Sequence, residues 1–128
     1  MSSDPMSVVQ SFFDQSAKGG ELIEALDAHM APNCVWENTG LPTAEGLDAM
    51  KGFMQSFIDG FSLHALVVEV RSMAASGGSV LTERIDHLDS GSGDRVASLP
   101  VSGTFEVSGG KIVAWRDYFD PRPFLPPA

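Results

Sequence analysis

VLTERIDHL, residues 80–88, decides how this chain is read. It lies between the turn signals SGG (76–78) and DSGSGD (89–94), so the stretch reads as a strand. Alternate side chains of a strand share a face. One face is then Val80, Thr82, Arg84, Asp86 and Leu88, and the other is Leu81, Glu83, Ile85 and His87. Neither is cleanly apolar. Whichever face turns inward, an ionisable group goes with it.

Working outward, three more segments share this character: 62–75, 95–107 and 111–120. All are rich in Val, Ile, Phe and Thr, and the same kinds of turn separate them, which predicts an antiparallel meander. Pro100 interrupts the third long strand and predicts an edge position or a bulge there. The tail PRPFLPPA (121–128) continues neither strand nor helix.

The first half of the chain has helical spacing instead. Asp4 followed by Pro5 predicts an N-cap with proline in the first turn. Val8, Val9, Phe12 and Phe13 then recur on one side until Gly19-Gly20. A second short helix is predicted over roughly residues 21–30, with Leu22, Ile23 and Leu26 together. Segment 33–39, NCVWENT, reads as extended. A third helix is predicted at about 45–59, where Leu47, Met50, Met54, Phe57 and Ile58 form a stripe, with Gly60 as its stop. Helices first and a meander afterwards give an α+β domain. The helices are the only cover for the sheet's apolar face. The expected shape is a curved, mainly antiparallel sheet wrapped round N-terminal helices, a cone with a hollow at its open end. All 128 residues are expected to form one domain.

Composition narrows the function classes. There are 17 acidic and 8 basic residues, a net charge of −9, which argues against nucleic acid and anionic membrane surfaces as partners. The apolar share of 43% is enough for a core. Cys34 stands alone and cannot form an internal disulfide, which suits a reducing compartment. The start lacks the pattern of a signal peptide, and no apolar run approaches the ~18 residues of a membrane span. A cytoplasmic protein is therefore expected. His29, His64 and His87 show no metal-ligand spacing, and no nucleotide, flavin or haem motif is present. No metal and no cofactor are expected.

The last strand adds the chemistry. In KIVAWRDYFD, Val113, Trp115, Asp117 and Phe119 share one face. If that face and the Arg84 face both turn inward, two carboxylates and one guanidinium meet in the cone. One Arg balances one buried Asp. A second carboxylate adds desolvation cost without an equal partner, and a cost kept in a cavity suggests use.

The strings LTERID (81–86), GTFEVSGGKIVAWRDYFDPRPF (103–124) and the earlier WEN (36–38) resemble the limonene-1,2-epoxide hydrolase family, within the wider NTF2-like, SnoaL-like superfamily. The resemblance implies an NTF2-like cone and an Asp-Arg-Asp triad of Asp86, Arg84 and Asp117, assisted by Asn38. The family's assisting Tyr falls on Trp36, a departure, since an indole donates one hydrogen bond and accepts none. It also implies an activity: one-step addition of water to a small or medium apolar epoxide, giving a vicinal diol. Asp117 would be the base and Asp86 the acid. Leu88, Leu99, Val101, Phe119 and Phe124 are the candidate substrate wall. A homodimer through the outer sheet face is implied, where Leu81, Ile85, Ile112 and Ala114 are expected. Two other readings stay open on the residues: an isomerase or cyclase of ketosteroid isomerase or SnoaL type, and a non-catalytic ligand-binding dimer module.

Overall fold

The computed structural model describes residues 4–126. The chain start and the last two residues of the PRPFLPPA tail lie outside the described residues. Helix α1 (Pro5–Ser16) is capped by Asp4, whose carboxylate accepts from the Ser7 backbone N–H. Such a cap stabilises a helix by about 1 kcal/mol. It ends at Ser16, three residues before the Gly19-Gly20 pair. Helix α2 (Leu22–His29) leads directly into strand β1 (Met30–Asn38), which therefore begins three residues earlier than NCVWENT suggested. A two-residue strand β2 (Ala44–Glu45) precedes helix α3 (Leu47–Phe61). Gly60 lies inside α3 rather than ending it. The stop is Ser62, held in the left-handed region at φ 53° with its N–H on the Ile58 carbonyl.

The meander follows as expected: β3 (Leu63–Ser76), β4 (Ser79–Ser90), β5 (Arg95–Ser108) and β6 (Lys111–Tyr118). The sheet order is β2-β1-β6-β5-β4-β3, antiparallel except that β1 runs parallel to β6. The helices cover one face. Phe12 and Phe13 of α1, Leu26 of α2 and Met50 and Met54 of α3 pack with Phe105 and Trp115 of the sheet in one core.

Pro100 sits opposite Ile85 of β4, while pairing of β5 with β6 begins only at Ser102–Tyr118. At Pro100, β5 is thus locally an edge strand, and no bulge is needed. A register shift falls instead between Glu106 and Val107, and its extra residue on β6 is Val113. One extra residue reverses side-chain parity. Ile112 is consequently turned into the core, at 0% exposure, and is not on the outer face where alternation placed it. Leu81 and Tyr118 are the large apolar side chains exposed on that outer face, with Ile85 and Ala114 half-buried.

Candidate active site

Strand register builds the site in rows. Val80, Phe105, Trp115 and Trp36 pair successively across β4, β5, β6 and β1. The next row along the same four strands is Thr82, Gly103, Asp117 and Asn38. Beyond it lie Arg84 beside Val101, then Asp86 beside Leu99. The first row is a floor of stacked rings: Phe105 on Trp115 at 5.5 Å and 21°, and Trp115 on Trp36 at 4.3 Å and 10°. The second, third and fourth rows carry the ionisable groups Asp117, Arg84 and Asp86 in turn.

Both suspect faces do turn inward. Arg84 is 1% exposed, Asp86 6% and Asp117 5%. The guanidinium donates from Nε to Asp86 Oδ1 at 2.9 Å and from Nη2 to Asp86 Oδ2 at 3.0 Å. The same Nη2 donates to Asp117 Oδ2 at 2.7 Å. One nitrogen therefore bridges the two carboxylates. Nη1 donates to Thr82 Oγ1 at 3.0 Å, and that hydroxyl donates to the Gly103 carbonyl at 2.9 Å. Phe13 and Phe105 each lie 5.6 Å from the guanidinium carbon, so rings from α1 and β5 complete the cation's surroundings.

Burial pushes the Asp117 carboxyl above the ordinary carboxylate range; the Arg84 charge and hydrogen bond pull it back only in part, and Asp86 pushes it further up. The Trp115 indole adds a weaker downward pull, although its nitrogen and Asp117 Oδ1 do not meet hydrogen-bond geometry. For Arg84, burial alone would loosen the proton. The charges of Asp117 and Asp86 outweigh it and hold the guanidinium above its usual value. The cation is permanent, and the proton in question belongs to the carboxyls.

The hollow beside this network is lined by Trp36, Asn38, Asp86, Trp115 and Asp117 at one end. All five expected wall residues are there too: Leu88, Leu99, Val101, Phe119 and Phe124. Leu41, Met54, Phe57, Leu63 and Leu66 complete the lining; strand parity alone did not place them. The space among the lining atoms, with the open solvent at the entrance counted in, is about 550 Å³. Within the wall, the Phe124 ring meets Phe57, Phe61 and Phe119 edge-on at 5.5–5.7 Å.

Among the described residues, four buried side-chain polar atoms make no hydrogen bond within the protein: Trp36 Nε1, Asn38 Nδ2, Trp115 Nε1 and Asp117 Oδ1. Buried polar groups are normally paired, and each one left alone costs roughly 1–3 kcal/mol. All four belong to residues lining the polar end of the hollow, so their partner is something that enters it. This end offers one anionic acceptor and three donors around an apolar chamber. That suits a water molecule beside a substrate with an oxygen to protonate. Thr82 and Gly103 went unrecognised from sequence as parts of the site. Thr82 was visible only through its parity with Arg84, and Gly103 as an isolated glycine inside a strand. Among the described residues, no group of three or more His, Cys, Asp or Glu side chains is placed to share a metal ion. No described helix is long and apolar enough to cross a membrane.

Comparison with known proteins bears on the family and the fold. The profile of the limonene-1,2-epoxide hydrolase catalytic domain matches residues 3–126. Epoxide hydrolase EphG of Mycobacterium tuberculosis is 34% identical over 119 residues, covering 88% of this chain and 70% of that protein. A solved LEH-like epoxide hydrolase of M. tuberculosis superposes with a TM-score of 0.73 at 31% identity, over 92% of this chain and 84% of the other. An NTF2-like protein of unknown function from Burkholderia pseudomallei gives a TM-score of 0.76 at 17% identity, over 97% and 95% of the two chains. That last likeness speaks for the NTF2-like fold alone.

Proposed function

Because the chain belongs to the limonene-1,2-epoxide hydrolase family, and is an epoxide hydrolase of that type, we propose that Asp86, Arg84 and Asp117 add water to an apolar epoxide in one step, without a cofactor. Asp117 is the general base. It takes a proton from a water molecule, whose oxygen attacks one epoxide carbon. The carbon–oxygen bond on that carbon breaks, and the epoxide oxygen takes a proton from Asp86. A diol leaves. The proton is now on Asp117 instead of Asp86, and the cycle resets when it returns. Arg84 Nη2 touches both carboxylates, so the guanidinium stabilises whichever of the two is ionised.

The observation that carries this reading is the set of unpaired atoms on neighbouring strands: Asp117 Oδ1, Asn38 Nδ2 and Trp36 Nε1. A water can donate to Asp117 Oδ1 while accepting from Asn38 Nδ2 or from the Trp36 indole. The last contact requires only a donor, which is what an indole retains of a phenol's two capacities. A base raised toward neutrality by burial is also a stronger base, and general acid and base each contribute ~10²–10⁴-fold. The wall of Leu88, Leu99, Val101, Phe119 and Phe124 favours a small or medium hydrocarbon epoxide. A second copy of the chain against the outer face, over Leu81, Ile85, Ala114 and Tyr118, is the expected assembly.

A single turnover in heavy-oxygen water tests the chemistry. Direct attack by water labels the diol in the first turnover with one solvent oxygen. An unlabelled first diol would mean that a carboxylate oxygen of the enzyme attacked instead. Asp117→Asn and Asp86→Asn should each lose at least ~10²-fold in kcat with the fold intact. Exchange of ketone α-protons without diol would replace the proposal with an isomerase.

A further inference from the structure

Of the two oxygens of Asp117, Oδ2 is held by Arg84 Nη2, while Oδ1 has no hydrogen-bond partner among the described residues. Yet another guanidinium nitrogen is near. The position a Cβ would take on Gly103 collides with Asp117 Oδ1 and lies 2.6 Å from Arg84 Nη1. Oδ1 and Nη1 are therefore neighbours across the bare face of Gly103. A fork-on-fork pairing of the kind arginine usually makes with a carboxylate is close at hand but not formed.

What holds it open is Thr82. Its hydroxyl has one proton, and that proton is committed to the Gly103 carbonyl at 2.9 Å. The hydroxyl can then only accept, and it accepts from Nη1 at 3.0 Å. Thr82 and Gly103 face each other in the register of β4 and β5, so this geometry is set by the sheet. Thr82 is buried at 5% exposure and does not line the hollow, so it touches no substrate.

We infer that Thr82, seated on Gly103, is a positioning residue that keeps Arg84 Nη1 off Asp117 and reserves Oδ1 for the attacking water. This rests on Asp117 being the base. With Thr82 in place, Arg84 meets Asp86 with two bonds and Asp117 with one. Without the hydroxyl, the Nη1 N–H that Thr82 holds loses its acceptor and the guanidinium is free to turn; the nearest anionic acceptor for either N–H of Nη1 is then Asp117 Oδ1. A second charge-assisted bond would lower the basicity of Asp117 and occupy the oxygen the water needs.

The test is kcat and KM across pH for Thr82→Val, Thr82→Ala and Thr82→Ser, beside Asp117→Asn. The valine keeps the shape, and the alanine replaces it as the informative variant if valine does not fold. Loss of the hydroxyl should lower kcat on the order of tenfold with KM unchanged, and move the acid limb of the pH profile about one unit toward lower pH. Thr82→Ser should restore both. A merely structural threonine would lower thermal stability and leave the pH profile where it was. Wild-type kcat and pH profile in the hydroxyl-less variants, with Asp117→Asn inactive, would overturn the inference and leave the proposed base standing. A fully active Asp117→Asn would sink the proposed base itself.

Discussion

Arg84→Met is the most revealing stability experiment on this protein. Methionine keeps an unbranched stem between the Phe13 and Phe105 rings but removes the cation. Asp86 and Asp117, 6% and 5% exposed, then face each other without it. Removing one member of a buried ion pair typically costs ~3–5 kcal/mol, because the remaining charge is buried and uncompensated. The lost ring contacts with the cation add ~0.5–2 kcal/mol, a smaller and pH-independent part. Against a usual total of ~5–15 kcal/mol, the change consumes about a quarter or more of the stability. The carboxylate part depends on pH in a definite direction. Burial already raises the Asp117 carboxyl in the intact protein, and loss of Arg84 removes the main downward pull. A raised folded-state value means stability that is fully present below the unfolded value and lost as pH rises through the folded one. The penalty of Arg84→Met should therefore be small near pH 4 and approach its full size near pH 8. Urea unfolding of both proteins at the two pH values, with m-values compared, measures it. A penalty equal at both pH values would mean that packing, not charge, is what Arg84 supplies, and one below ~1 kcal/mol at pH 8 would mean that the carboxylates find another partner.

The same raised value of Asp117 places the acid limb of kcat/KM in the wild-type enzyme above the ordinary carboxylate value of about 4, and a limb at or below that value would count against Asp117 as the base. Phe124→Ala removes the ring that meets Phe57, Phe61 and Phe119 in the wall. It should raise kcat/KM for bulky epoxides relative to compact ones, measured by direct competition between two substrates. Burial pushes the Cys34 thiol up to about 11. A thiol reagent at pH 8 should leave the folded protein unlabelled and label it fully in denaturant.

How much of this was legible beforehand follows from the kind of rule involved. Strand periodicity is local and strong, so the four long strands and their turns stood in the sequence. So did the two faces that carry Arg84 with Asp86 and Asp117, although only the fold showed that both turn inward. Asn38 and Trp36 came from the family resemblance, and register then set them beside Asp117 and Trp115. Alternation failed where one extra residue entered. The shift at Val113 sends Ile112 into the core, and nothing in KIVAW announces it. Gly60 misled because a helix end depends on what the following strand needs. Here Ser62 takes the left-handed turn that aims Leu63 into the sheet.

The chain's own residues determined an α+β layout with an apolar stripe on each helix, and three ionisable groups placed on two strand faces. Periodicity and composition act within one segment, so they can be read without knowing the segment's neighbours. Only the assembled sheet decided that one guanidinium nitrogen bridges both carboxylates, that Thr82 rests on Gly103, and that Asp117 keeps one oxygen unpaired. Those are relations between strands. Hydrogen bonds and close approaches at 3 Å depend on register, and register is a property of the pair, not of either strand.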